Sequence, residues 1–345
     1  MRKLFLFLLL ALGVTFLNAQ DKHEKEPFLT KSLSSEAVKN VEVQTSGGSI
    51  SVAGISSNAR IEVYISSNNS NDNLSKEEIQ KRLDEKYDLT IAVSNNKLSA
   101  IARTKEKIRD WKKALNISFK IYVPQNVSTE LTTSGGSIHL TNLSGNQDFT
   151  TSGGSLHIDG LSGKVTGRTS GGSIHLENSK DEIELTTSGG SIHAKNNSGI
   201  LNLSTSGGSL ELKDLKGTIK ATTRGGSVMG KDIQGDLTAT TSGGNVELSG
   251  LSCSLETATS GGNIKVSFKE LGKYAKISNS AGNITLELPK GKGFDLKLEA
   301  SRIKTDAFEN FSGKMEDDEV TGKLNGGGVP VTVRAGSGSI RLALK

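Results

Sequence analysis

A single cysteine, Cys253, is all that the chain offers for a disulfide, so backbone pairing and burial must hold it together. Aromatic residues make up 4% of the sequence and Trp111 is the one tryptophan, fewer than a globular core of this size normally uses. Four prolines stand against forty glycines. That ratio predicts strands that keep every N–H for pairing, joined by many tight turns. A basic patch is also missing. The formal net charge of +5 falls to +3 without Arg2 and Lys3, and its lysines are spread along the chain, so no nucleic-acid partner is expected. Beyond the first twenty residues no apolar run is long enough for a membrane-crossing helix, and the mature chain is expected to lack a transmembrane segment.

Those first residues are of another kind. Arg2 and Lys3 precede an almost unbroken apolar run from Leu4 to Leu17, and Leu17-Asn18-Ala19 follows as a small-residue exit. The pattern is that of a secretory signal peptide over residues 1–19. It predicts an extracytoplasmic destination: cell surface, secreted or periplasmic. No cysteine lies near the cleavage region, which argues against a lipid anchor.

The string Thr-Ser-Gly-Gly-Ser/Asn-aliphatic, or a close variant, begins at Thr133, Thr151, Thr169, Thr187, Thr205, Thr223, Thr241 and Thr259, each 18 residues after the last. An earlier copy starts at Thr45, a degenerate one at Asn279, and an echo runs from Ala335 to Ile340. After each Gly-Gly pair, aliphatic residues alternate with polar ones, as in Ile138 and Leu140, Leu156 and Ile158, or Ile174 and Leu176. A second alternating run carries Val165, Ile183, Leu201, Ile219, Leu237 and Leu255, after turns such as Ser144-Gly145 and Lys216-Gly217. Period-two alternation marks strands with one buried face. A constant 18-residue return stacks like residues at about 4.8 Å, as in a parallel β-solenoid. Antiparallel hairpins would not need the aliphatic columns to keep one register over eight copies. The fold class expected is therefore all-β: an elongated parallel β-solenoid with 18-residue rungs and two short strands in each.

The ends depart from the period. Residues 20–40 read as a lead-in, and 41–132 as N-terminal rungs with a helical insertion near 75–87, where Ser75-Lys-Glu-Glu78 forms a capping box. Residues 133–278 are the regular array, and 279–345 are irregular C-terminal rungs and a cap. Such caps protect solenoid ends from pairing with other chains.

These residues resemble the bacterial adhesin-like family of β-strand-repeat envelope proteins, a domain of unknown function. The resemblance rests on the Thr-Ser-Gly-Gly-Ser-Ile array, on Tyr122-Val123-Pro124 ahead of it, and on Gly326-Gly327-Gly328 followed by Gly336-Ser337-Gly338-Ser339-Ile340 at its close. It covers nearly all of the mature chain. It implies the architecture strongly and a function only by analogy, since the family has no shared catalytic residues to carry over.

One polar constellation stands out. His139, His157, His175 and His193 hold the same repeat position on four successive rungs, between inward aliphatics and therefore facing out. Two residues further along that face, Asp159 and Glu177 supply carboxylates. Imidazole with carboxylate suits Zn²⁺, Cu²⁺ or Ni²⁺, so these six residues are the candidate metal ligands; the plainer reading is an exposed histidine copied by repeat duplication. The column Ser137, Ser155, Ser173, Ser191, Ser209 and Ser227 either presents hydroxyls to a glycan or satisfies nearby backbone. Thr-Ser-Gly-Gly is no phosphate loop, for no Gly-Lys-Ser/Thr follows it, and the aspartate of calcium-binding β-rolls is absent from the turn. No nucleophile can be paired with a histidine by motif, and the acids are scattered, so no catalytic residue and no cofactor is expected. The functional expectation is a non-catalytic, adhesin-like binding or structural protein of the cell envelope, with a surface glycan or envelope protein as partner. The alternatives are a periplasmic scaffold or stress-linked protein, and a surface metal binder built on the histidines.

Overall fold

In the computed structural model, which describes residues 26–69, 72–106 and 110–345, parallel pairing at an offset of 18 residues generates the array through strand Val246–Thr259, and bulges then shift the register so that Leu255 pairs with Ala275. The leader expected at 1–19 and the start of the lead-in lie outside the described residues. Strand Leu156–Asp159 pairs with Ile138–Thr141 on one side and Ile174–Glu177 on the other, and these strands form the first face of the solenoid. Strand Ser162–Thr169 lies likewise between Ser144–Thr151 and Lys180–Thr187 on the second face. From Ile192–Thr205 onward a single strand runs through the corner and serves both faces. The protein is thus the parallel β-solenoid that the period demands, with one helix, Lys76–Lys86, among the described residues.

Alternation buries the columns as expected. Ile138, Leu156, Ile174, Ile192 and Leu210 are at most 1% exposed, and each such side chain contributes about 2 kcal/mol by leaving water. Where the column carries a glycine, a neighbour fills the space. A Cβ on Gly167 would meet the Phe149 ring and Leu185, and one on Gly230 would meet Leu248 and Ile233. Volume is shared between rungs, so the core stays close-packed.

Two details of the rung lie outside the hydrophobic pattern. The motif threonine points inward. Thr151 Oγ1 donates to the Gly136 carbonyl of the previous rung at 2.8 Å and accepts from its own Gly154 N–H at 3.3 Å. Thr169, Thr187, Thr205, Thr223, Thr241 and Thr259 repeat the arrangement, and Asn279 imitates it with a side-chain amide. The second turn also begins earlier than the Ser-Gly and Lys-Gly pairs suggest. Its left-handed corner falls two residues before them, at Asn142, Gly160, Asn178, Asn196, Asp214, Asp232 and Gly250, with φ between 51° and 68°. Only Gly, Asn and Asp visit that conformation readily. The next residue then turns inward, which gives a third buried column of Leu143, Leu161, Ser179, Asn197, Leu215, Ile233 and Leu251. Its two polar members satisfy each other: the Ser179 N–H donates to Asn197 Oδ1 at 2.8 Å, and Asn197 Nδ2 donates to the carbonyls of Leu176 and Lys195.

At both ends the spatial order of rungs differs from the chain order. The rung of Asn40–Thr45 and Ile50–Gly54 lies between that of Ser128–Thr133 and Ile138–Thr141 and an outer one, Lys97–Thr104 with Leu115–Val123. Antiparallel strands Arg60–Ser67, Leu29–Ser32 and Tyr87–Ser94 close that end. At the other end the final strands Val329–Ala335 and Ser339–Leu344 insert between earlier segments. The first sits between Ile264–Asn279 and Phe294–Glu299, the second between Ile284–Leu288 and Arg302–Thr305. Antiparallel strands Glu319–Leu324 and Phe311–Met315 complete the closure.

The two glycines of the motif are not equivalent. A Cβ on Gly172 would overlap the Gly154 carbonyl, whereas one on Gly171 meets nothing nearer than 3.6 Å. Gly172→Ala is therefore expected to destabilise by about 3 kcal/mol, and Gly171→Ala to be neutral or stabilising by up to about 1 kcal/mol. Thermal melts of the two variants check this, and equal midpoints would refute it. Cys253 is 1% exposed, and burial pushes its thiol up to about 12. A chromogenic thiol reagent should find no reactive thiol in the native protein and one per chain in denaturant.

Candidate functional site

Parallel register brings the four histidines together. His139, His157, His175 and His193 are Cα partners in succession on the first face, and their rings stack face to face. Centroid separations are 4.5, 5.0 and 5.0 Å with interplanar angles of 2°, 2° and 7°. A rung spacing near 4.8 Å makes that stack almost obligatory once one rotamer is shared. Each ring is half-buried, with its edge toward solvent. Among the described residues no group hydrogen-bonds the ring nitrogens of His139, His157 or His175. At the end of the stack His193 Nδ1 lies 2.9 Å from Glu211 Oε2, the residue that takes the histidine position on the next rung.

The two carboxylates singled out in the sequence part company. Asp159 Oδ1 accepts from Asn178 Nδ2 at 2.7 Å, and Asn196 Nδ2 donates to Asn178 Oδ1 at 2.6 Å, so Asp159 is drawn into the amide row of the corner. Glu177 stays with the stack, where its charge favours protonation of His175. Glu211 was not among the expected residues, although its repeat position marks it as the continuation of the histidine column. Among the described residues no three His, Cys, Asp or Glu side chains already converge as a metal site.

The serine column is structural in its bonding. Ser137, Ser191 and Ser209 each accept, through Oγ, the N–H of the equivalent residue one rung on, at 3.1 Å. Asn245, Asn263 and Asn283 continue the device to Ser339 with side-chain carbonyls at 2.8–2.9 Å. On the second face outward acids meet bases of neighbouring rungs: Lys164 with Glu182 at 3.3 Å, Arg168 with Glu184 at 3.2 Å, and Lys276 with Glu256 at 2.9 Å. Such exposed pairs add little stability, but they leave the face polar and nearly charge-balanced.

Part of the chain is similar to a known family. Residues 197–343 match the Toastrack family, DUF4097. The Toastrack match begins at Asn197 within the regular array and runs through the interleaved C-terminal end, and it agrees with the resemblance to adhesin-like β-strand-repeat domains of unknown function. Among solved structures, a putative cell adhesion protein from Clostridium sporogenes ATCC 15579 is 12% identical, over 92% of this chain and 98% of that one, with a TM-score of 0.20. A putative adhesin from Bacteroides fragilis NCTC 9343 is 11% identical, over 92% and 96%, with a TM-score of 0.29. At these scores the two likenesses carry no argument about function. No curated protein matches. No helix among the described residues is long and apolar enough to cross a membrane.

The stack makes stability depend on pH. Burial is the largest cause holding His139, His157 and His175 below the ordinary histidine value; for His157 and His175 the neighbouring rings add to it. Native rings thus bind protons less readily than unfolded ones. Their contribution is greatest above the unfolded pKa of about 6.5 and is lost as pH falls from there through the lowered folded values. Melting temperature should fall between about pH 8 and about pH 5, and the triple variant His139→Gln/His157→Gln/His175→Gln should flatten that slope. An unchanged slope would show that the stack does not set it.

Proposed function

We propose that this chain is an exported, non-catalytic, adhesin-like rod whose flat faces bind a repetitive surface polymer, a glycan in the first instance. One observation carries the reading. Each outward column presents one side chain per rung at a fixed spacing, as in Asp148, Thr166, Glu184, Asn202, Lys220, Thr238 and Glu256 on the second face. A ladder of weak, equally spaced polar contacts suits a ligand that is itself periodic, because each added contact becomes intramolecular after the first. The non-catalytic part of the reading rests on the pairing of the second face's acids with lysine and arginine rather than with an acid–base partner. Export rests on the leader sequence Met1–Ala19.

The test is protease shaving of intact cells, followed by blotting for this protein beside a periplasmic control. Cleavage with the control intact is the expected outcome, and a glycan array then identifies the polymer. Protection until the outer envelope is opened would overturn surface display and favour a periplasmic scaffold that works through partners.

A further inference from the structure

We infer that His175 and His193, with Glu177 beside them and Glu211 behind, form a binding site for one divalent transition-metal ion of the Zn²⁺, Cu²⁺ or Ni²⁺ class. Three features of the histidine stack converge on this pair. First, the ring nitrogens are available, since His175 has no hydrogen-bond partner among the described residues and His193 uses only Nδ1. Second, His193 is already oriented as a ligand. Its Nδ1 lies 2.9 Å from the Glu211 carboxylate, which leaves Nε2 as the nitrogen without a partner among the described residues. A carboxylate holding the far nitrogen of a histidine is the usual outer support of a metal site. Third, Glu177 supplies an oxygen donor that nothing else among the described residues holds, while Asp159 is tied to Asn178 and lost to the stack.

Distances say what the ion must do. The ring centroids lie 5.0 Å apart with planes 7° from parallel, whereas two nitrogens each about 2.0–2.1 Å from one tetrahedral ion lie about 3.4 Å from each other. The lone pairs lie in the ring planes, so the two rings must leave the parallel stack and tilt toward each other, a change of side-chain rotamer at the half-exposed edge of the face. The remaining positions go to Glu177 and water, as suits these ions. The other end of the stack lacks the support, since among the described residues no carboxylate acts on the His139 or His157 ring. Lys195 stands beside Glu177 on the next rung and opposes the ion's charge.

Calorimetric titration of the tag-free protein with ZnCl₂ near neutral pH tests the site, with melting curves in chelator to confirm that each variant is folded. One ion per chain with micromolar affinity is expected. His175→Ala/His193→Ala should abolish the heat, Glu211→Gln should weaken binding by about tenfold or more, and Lys195→Gln should tighten it. His139→Ala should leave it unchanged. No heat from the parent protein, undiminished affinity in the double variant, or equal loss on removing His139 would each overturn the assignment. None of these outcomes depends on whether the rod is displayed at the cell surface.

Discussion

The carbonyl of each motif's second glycine lies where the same glycine of the next rung would otherwise carry its side chain. That contact permits no residue but glycine, and the buried threonine hydroxyl fastens it from both sides. Successive rungs are therefore fixed against sliding. A one-residue slip would turn every aliphatic outward and set Cβ atoms against backbone. The inward columns, the serine row, the histidine stack and the corner amides all inherit their alignment from this one close approach.

Much of the fold was legible because its period is linear in sequence. Ile138, Leu156, Ile174 and Ile192 recur at an interval that any solenoid must respect, and their burial followed. The corner was harder to read because the left-handed position accepts three residue types, so Asn142, Gly160 and Asp214 look unrelated as letters. Threonine's inward role was hidden by its polarity, which says nothing of a hydroxyl satisfied within the core. The order of the terminal rungs could not be read at all. Ala335–Ile340 has the same local pattern as any other copy, and only long-range pairing decides where it is inserted.

For the site, the column was legible and its chemistry was not. Repeat position alone put four imidazoles in line. Which carboxylate would join them depended on a competition that the sequence does not display. Asn178 takes Asp159 because the left-handed corner swings its amide toward the preceding rung, and Glu177 has no such rival. Glu211 shows the converse, a carboxylate recruited by occupying the histidine position one rung beyond the last ring.

The interleaved C-terminal end bears on the birth of the molecule. Strands Val329–Ala335 and Ser339–Leu344 fill the gap between the regular array and segments made before them. Neither segment can close on the array until residues 329–344 have left the ribosome. The stack can grow rung by rung as the chain emerges, but this end stays open until residues 329–344 are in place. A copy ended before Val329 carries an unsealed edge, because the strands that seal it are the ones it lacks.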